Sequence, residues 1–298
     1  SIFIILGDKM SEAQYLAART IDEAVNAHAK ANGSARFLAG GTDLLVQIKS
    51  GIRKPNLVID VKKIVELNSI EEVSENEFIV GASVSGANLN RNQKFSKLWP
   101  GVLEAFRLIG SEQIQGRASL GGNLCNGSPA GDSVPALIAA GCIALIAGPS
   151  GKREVPIEDF HTGPGKTVLE NGEMLVSLKF PKRKPNSSDS YLRMTPRTEM
   201  DIAVVGCGVN VTLENNVCVA ARVSLGAVAP TPLLIREASE IMVGTNLNSE
   251  ILDKVSKICM DSCNPIDDKR GTVEYRTKVA GVLFKRTTLI AIDRIKGN

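Results

Sequence analysis

The stretch Phe37-Leu38-Ala39-Gly40-Gly41-Thr42-Asp43-Leu44 constrains this chain more than any other. An apolar strand ends in two glycines, and a helix starts at once. Glycines lack the Cβ that would keep backbone N–H groups away from a neighbour or a ligand. A helix N-terminus adds unpaired N–H groups and the positive end of its dipole, which together suit a phosphate. Thr42 supplies a hydroxyl donor. Asp43 would repel a phosphate if aimed at one, so it either caps the helix or accepts from a ligand hydroxyl. Taken alone, the same residues also make an ordinary strand–turn–helix junction.

The flanking pattern is that of an α/β unit. Residues Thr20 to Ala31 are amphipathic, with Thr20 as N-cap and Glu23 completing a capping box. A strand over Arg36–Ala39, a helix over Asp43–Lys49 stopped by Gly51 and a buried strand over Leu57–Val61 follow. Further on, the sequence predicts a helix over Leu98–Ile109, another over Ser133–Ala140 with Pro135 in its first turn, and strands at Phe78–Val80, Ile143–Ile146, Arg153–Val155 and Leu175–Phe180. Pro181–Ser190 is polar and reads as a linker. Antiparallel strands at Ala203–Val211 and Val217–Leu225 then precede helices at Pro232–Met242, Ser249–Cys259 and Tyr275–Ile295. The expected organisation is an extension over 1–10, α/β subdomains over 11–62 and 63–184, and an α+β domain over 185–298.

A second chemically informative stretch runs from Ala118 to Asp132, through Ser119, Gly121, Gly122, Asn123 and Ser128. It is rich in glycine, and Asp132 is its one charged residue. A loop bathed in water would carry more Lys and Glu. This composition suits a backbone wrapped on a ligand, with Ser119, Asn123 and Ser128 as neutral hydrogen-bonding groups. Asp132 either accepts from a ligand hydroxyl or caps the following helix. A third stretch, Tyr191 to Ala203, holds Arg193 and Arg197. It is either a joining loop with solvated arginines or the source of a cation beside an electron-rich ring.

Several functions are excluded. Neither glycine stretch is the dinucleotide fingerprint GxGxxG or a phosphate-binding loop ending in Gly-Lys-Ser/Thr. No GxSxG elbow occurs, and His28 and His161 sit alone, so no nucleophile–base pair is visible. Cys259 and Cys263 would share a helix face, but no further ligands gather near them, and no metal or iron–sulfur site is expected in this chain. A net charge of +3 with both signs interspersed, and only 4% aromatic residues, argue against a nucleic-acid groove. The apolar run Ile2–Leu6 is too short for a signal core, no stretch is long enough to span a membrane, and the chain is expected to be cytoplasmic. A chain of 298 residues with binding groups but few acid–base groups suits a protein whose chemistry belongs to a cofactor.

Five motifs in register resemble the FAD-binding medium subunit of the molybdenum hydroxylase family, which includes xanthine dehydrogenase and carbon monoxide dehydrogenase. They are Ala39-Gly40-Gly41-Thr42-Asp43-Leu44, Ser119-Leu120-Gly121-Gly122-Asn123, Ser128-Pro129-Ala130-Gly131-Asp132, Pro196-Arg197-Thr198-Glu199-Met200-Asp201-Ile202-Ala203 and Gly271-Thr272-Val273-Glu274-Tyr275-Arg276. The resemblance runs from about Tyr15 to the end of the chain. It implies an α+β chain: an FAD-binding fold of the vanillyl-alcohol-oxidase (PCMH) type in two α/β subdomains, followed by a domain of the carbon monoxide dehydrogenase flavoprotein C-terminal type. It implies that Leu38 to Leu44 and Ser119 to Asn123 hold the FAD pyrophosphate, with Ser128 nearby. It also implies Asp132 at the ribityl region, Leu175 near the adenine, Ile109 beside the cofactor and Arg193 by the isoalloxazine.

The implied function is electron relay. Substrate is oxidised in a large molybdopterin subunit, and a small subunit with two [2Fe–2S] clusters passes electrons to this FAD, which reduces NAD, a quinone or another acceptor. The expected assembly is a heterotrimer that dimerises. The pair Thr42-Asp43 departs from the pair favoured by the carbon monoxide dehydrogenases, which leans the substrate toward a purine or aromatic heterocycle. The insertion that carries an extra cluster in some members is absent. The competing readings are a stand-alone flavoenzyme of the same fold, of the UDP-N-acetylenolpyruvoylglucosamine reductase type, and an assembly subunit without flavin.

Overall fold

The computed structural model describes residues 2–4, 11–197 and 201–297. Most of the expected N-terminal extension, and Thr198-Glu199-Met200 of the fourth motif, lie outside the described residues.

The first unit is a four-stranded sheet. Its elements are β1 (Ile2–Ile4), β2 (Ser11–Ala17), α1 (Ile21–Lys30), β3 (Ala35–Leu38), α2 (Leu44–Lys49) and β4 (Leu57–Asp60). The order is β1-β2-β4-β3, with β4 parallel to both β2 and β3. Thr20 caps α1 by accepting from Glu23 N, while the Glu23 carboxylate accepts from Arg19 N and not from Thr20 N, so half of the expected capping box forms. Asp43 makes no side-chain cap on α2, which removes one of its two expected roles.

The second unit contains β5 (Ile70–Ser74), β6 (Glu77–Gly81), α3 (Gly86–Arg91), α4 (Gln93–Leu98), α5 (Pro100–Arg107), α6 (Glu112–Gln115), α7 (Leu120–Asn126) and α8 (Ser133–Ala140). It continues with β7 (Ile143–Gly148), β8 (Gly151–Pro156), the short hairpin β9 (His161–Gly163) and β10 (Lys166–Thr167), and β11 (Met174–Phe180). Five strands make an antiparallel sheet in the order β5-β6-β11-β7-β8. An aromatic core packs against it, with Phe95 edge-on to Phe180 at 4.9 Å between ring centres.

The first half of the second glycine stretch, Leu120–Asn126, is a helix, and only Gly127–Asp132 is loop. Ser119 caps α7 by accepting from Gly122 N at 3.0 Å, and Gly127 closes it at φ +69°. Leu120 and Leu124, one turn apart, bury fully and anchor the helix to the core. That burial and the two caps offset the low helix propensity of Gly121 and Gly122, roughly 1 kcal/mol each.

The third unit holds β12 (Ser187–Met194), β13 (Val205–Glu214), β14 (Val217–Gly226), β15 (Leu233–Leu234), α9 (Arg236–Met242), α10 (Ser249–Asp261) and α11 (Val273–Gly297). Its strands form one antiparallel sheet in sequence order. The expected helix over Pro232–Met242 begins only at Arg236, because Leu233 and Leu234 pair with β14. α8 is buried at every position and packs on β13 and β14, so it joins the second unit to the third. Gly208 makes that close: a Cβ there would stand 2.6 Å from Pro135 O.

The expected linker is also a packed joint. Arg183, Ser188, Asp189 and Ser190 are buried. The Arg183 guanidinium lies 4.2 Å from the Trp99 ring centre, bonds Asn210 Oδ1 at 2.8 Å and pairs with Asp189 at 3.3 Å. Asp189 Oδ2 accepts from Val102 N at 3.1 Å, and Arg294 from the end of α11 donates to Asp189 O at 2.7 Å and pairs with Glu104. Burial pushes the Asp189 carboxyl up and the Arg183 guanidinium down, which is the cost their pairing offsets. The segment is polar because its charges satisfy one another, which composition alone cannot reveal. Arg183→Ala leaves Asp189 buried without its cation and is expected to lower unfolding free energy by about 3 kcal/mol. An unchanged urea midpoint would contradict this account of the joint.

Candidate cofactor site

A cleft of about 580 Å³ opens between the first two units, within the usual size of a cofactor site. The C-terminal end of β3 and the N-terminal ends of α2 and α7 meet there. The two glycine pairs are thus brought together, and each begins a helix.

The glycines do different jobs. A Cβ on Gly40 would land 1.9 Å from the Arg117 carbonyl oxygen, and Gly40 O accepts from Arg117 Nε at 3.0 Å. Gly40 therefore lets the two turns touch backbone to backbone. Gly41 sits at φ +76°, where side chains are strained. A Cβ on Gly121 would come 2.4 Å from Ala82 O. Gly122 is the exception. It is exposed, and the nearest atom to its Cβ position is Ser119 Oγ at 3.1 Å. It leaves open space at the start of α7.

The donors fit an anion. The first bond of α2 runs from Leu45 N to Gly41 O, so the N–H groups of Thr42, Asp43 and Leu44 have no intrahelical acceptor. Asp43 borders the cleft, and although it is accessible the surrounding protein desolvates its carboxyl and raises its pKa. Gln47 reaches across to α7, donating to Asn126 Oδ1 at 3.1 Å.

Twelve of the residues singled out in sequence line the cleft: Ala39, Gly40, Gly41, Thr42, Asp43, Leu44, Ile109, Ser119, Gly121, Gly122, Asn123 and Leu175. Four do not. Leu38 is buried in a small core with Ile48 and Val58. Ser128 Oγ accepts from Ala130 N at 3.3 Å and shapes its own turn. Asp132 accepts from Tyr191 Oη at 2.8 Å and Arg193 Nη1 at 2.7 Å, and neither caps α8 nor borders the cleft. Arg193 is held by Asp132 and by Asp201 O at 3.2 Å, so it is not the solvated arginine of a joining loop. Burial pushes the Asp132 carboxyl up to about 6, against the pull of Arg193 and Tyr191. Because that lies above its unfolded value, this group costs the fold stability as pH rises from about 4 through 6. The next residue, Ser133, donates its hydroxyl to Asn123 Oδ1 at 2.6 Å, so the buried cluster supports a cleft residue from behind.

Other wall residues carry no local signal in sequence. His28 stacks on Phe37 with 4.5 Å between ring centres, and its Nδ1 accepts from Gly172 N at 3.0 Å. That bond leaves the proton on Nε2, and burial together with Arg36 lowers the pKa, so the ring is neutral. Arg36 and Arg53 also border the cleft, as do Thr162, Lys166 and Thr167 of the β9–β10 hairpin. His161, isolated in the sequence, bonds Leu124 O at 2.7 Å and braces α7. Cys125 opens onto the cleft, but the protein packed around it pushes its thiol up to about 12, so it is no thiolate at neutral pH.

Residues 10–183 match the FAD binding domain in molybdopterin dehydrogenase, and residues 190–291 match the CO dehydrogenase flavoprotein C-terminal domain. The chain belongs to the FAD-binding subunits of the molybdenum hydroxylase family. It is 30% identical over 286 residues to the xanthine dehydrogenase FAD-binding subunit of Escherichia coli O157:H7, covering 96% of this chain and 98% of that one. It is 33% identical over 279 residues to the carbon monoxide dehydrogenase medium chain of Afipia carboxidovorans, covering 93% and 94%. A crystal structure of the Cu,Mo-CO dehydrogenase superposes with a TM-score of 0.91 at 31% identity, over 95% of this chain and 98% of that one. The cofactor of this chain is FAD, and the open space at Gly122 beside the free amides of Thr42, Asp43 and Leu44 fits a group whose phosphates need close backbone approach, with Gly40 and Gly121 packing the turns on the protein behind it.

Gly40→Ala is expected to separate the two turns and lower the thermal midpoint. Gly122→Ala is expected to leave that midpoint nearly unchanged while weakening FAD retention. Equal midpoints for the two variants would contradict the division of labour among the glycines.

Proposed function

We propose that this chain is the flavin relay of a heterotrimeric molybdenum hydroxylase. It takes electrons from [2Fe–2S] clusters in a small partner subunit and delivers them to NAD, a quinone or another acceptor. Substrate is oxidised in a separate large molybdopterin subunit, and the heterotrimer dimerises. The observation that carries this reading is the shared cleft of the two glycine turns, which offers donors for a pyrophosphate and, among the described residues, no nucleophile–base pair.

FAD, when bound, supplies a ring that can take up and release electrons. The chain's own residues bind and orient it. The free amides at the start of α2, with the Thr42 hydroxyl, hold the phosphates together with the start of α7. Ile109 and Leu175 give apolar walls. Neutral His28 presents a ring face and an Nε2–H without adding charge. Asp132 and Arg193 act through Ser133 and Asn123, keeping the far side of α7 in place and joining it to the third unit.

The lean toward a purine or aromatic heterocycle rests on Thr42-Asp43, since identities to the xanthine and carbon monoxide relatives differ by little. A stand-alone flavoenzyme would need placed proton donors at the cleft. The titratable groups that border it besides Arg36 and Arg53 are neutral His28, Cys125 with its thiol pKa raised, Asp43, Lys166, Glu170 and Glu173, the last held by Arg153 at 2.7 Å, with no hydrogen bond between any two of these side chains among the described residues. Purification of the tagged chain, expressed with its neighbouring coding sequences, is expected to yield flavin absorbance together with iron and molybdenum. Flavin without co-purifying iron or molybdenum would refute the relay and favour the stand-alone reading.

A further inference from the structure

The five-stranded sheet of the second unit has a second face, turned away from the aromatic core. α1 covers part of it, where Ala24 and Val25 share a core with Ala147, Met174 and Val176. The rest forms a groove of about 460 Å³, with Ile21, Ile79, Leu145, Val176 and Ser177 in its walls and charged residues on its rim. That volume is in the range of small-molecule sites.

The groove holds a polar group that strand alternation would send elsewhere. Side chains alternate along a strand, so Ser177 should follow Leu175 into the aromatic core. A bulge intervenes: Leu175 pairs with Ile146 of β7, but Ser177 pairs with Leu145. Val176 is the extra residue, and Val176 and Ser177 both face the groove. Ser177 is only 4% exposed. Its hydroxyl has no hydrogen-bond partner among the described residues, yet it is not sealed inside the protein. A desolvated hydroxyl without a partner costs free energy that a ligand can recover.

The rim is acidic at one end. Glu71 of β5 stands opposite Ile79 of β6. The Glu66 backbone packs on Gly81, which pairs with Ser177. Among the described residues, neither Glu66 nor Glu71 has an ion-pair partner. On β8, at the other edge of the sheet, Arg153 is committed to Glu173 at 2.7 Å, and Glu154 lies 4.0 Å from Lys179. Lys152 of β8 is thus the uncommitted cation of the rim among the described residues, and it stands across the sheet from the acidic end.

We propose that this groove is a binding site for a small apolar amine. Its ammonium donates to Ser177 Oγ and to the carboxylates of Glu66 and Glu71, and its apolar body covers Ile79, Leu145 and Val176. A carboxylic acid would meet two uncompensated carboxylates, and a purely apolar molecule would leave Ser177 unpaired. The site is separate from the cofactor cleft, although β11 is a wall of both: Met174 and Leu175 line the cleft, Val176 and Ser177 the groove. The inference does not depend on the proposed relay.

The test titrates the flavin-loaded full chain, alone and in its complex, with 2-phenylethylamine, 2-phenylethanol and phenylacetate. Binding is read by ligand-observed NMR and located by soaking crystals. The amine is expected to bind tightest and phenylacetate weakest, with density over Ile79 and Leu145 and flavin content unchanged. Glu66→Gln with Glu71→Gln is expected to weaken amine binding about five-fold and to leave the alcohol unaffected. Ser177→Ala is expected to weaken both, and Leu145→Trp, which fills the groove, to abolish binding of all three. The glutamine pair lies on the exposed rim, so it reads the charge even if the tryptophan variant does not fold. Equal affinity for the three probes overturns the proposal, as does amine binding that is unchanged in the glutamine pair and in Ser177→Ala. Density in the cofactor cleft, or binding at crystal concentration only, also overturns it. Binding by the free chain that is lost in the complex overturns it in favour of a partner contact on this face.

Discussion

Gly40 and Arg117 lie 77 residues apart; the Gly40 backbone packs on the Arg117 carbonyl, and Arg117 Nε donates to Gly40 O. That contact sets how far apart the starts of α2 and α7 stand, and so whether their free amides can serve one ligand. It exists because Gly40 has no Cβ. The parallel pairing of β3 with β4 aims the first turn at the second unit, with Val61 N donating to Leu38 O at 3.1 Å just beyond the strand. From the other side, Leu120 and Leu124 fix α7 in the aromatic core, and His161 braces its carbonyl end. The remaining structure keeps these two turns from drifting.

Among the described residues, the third unit reaches the cleft through intermediates. Tyr191 and Arg193 hold Asp132, Ser133 follows in the chain, and Ser133 holds Asn123. The joint built by Arg183, Asp189, Glu104 and Arg294 fixes β12, which carries Tyr191 and Arg193. Loss of a buried charge there would be felt at the cleft as looseness of α7, without removal of any cleft residue. Such networks are strong when every member is satisfied and costly when one is lost.

What sequence made legible was local. The strand-to-helix turn at Gly40-Gly41 and the cap at Thr20 follow from neighbouring residues, and the five motifs in register pointed to the family. The second glycine stretch looked like a loop because glycine has low helix propensity, and the burial that overrides it comes from residues elsewhere. Asp132 and Arg193 looked available for a ligand because their partnership spans 61 residues. His28, Arg53 and Lys166 gave no signal, since the cleft gathers them from separate elements. Pro181–Ser190 read as a solvated linker because composition does not show that its charges pair.

The central claim is that the two glycine turns, held together at Gly40, bind the pyrophosphate of FAD. The most direct measurement is the affinity of the flavin-free protein for FAD and for riboflavin, which lacks the phosphates, in the unsubstituted chain and in Gly122→Ala. The account predicts much tighter binding of FAD than of riboflavin, with most of that difference lost in the variant. Equal affinity for the two flavins in the unsubstituted chain, or an unchanged difference in the variant, would contradict it.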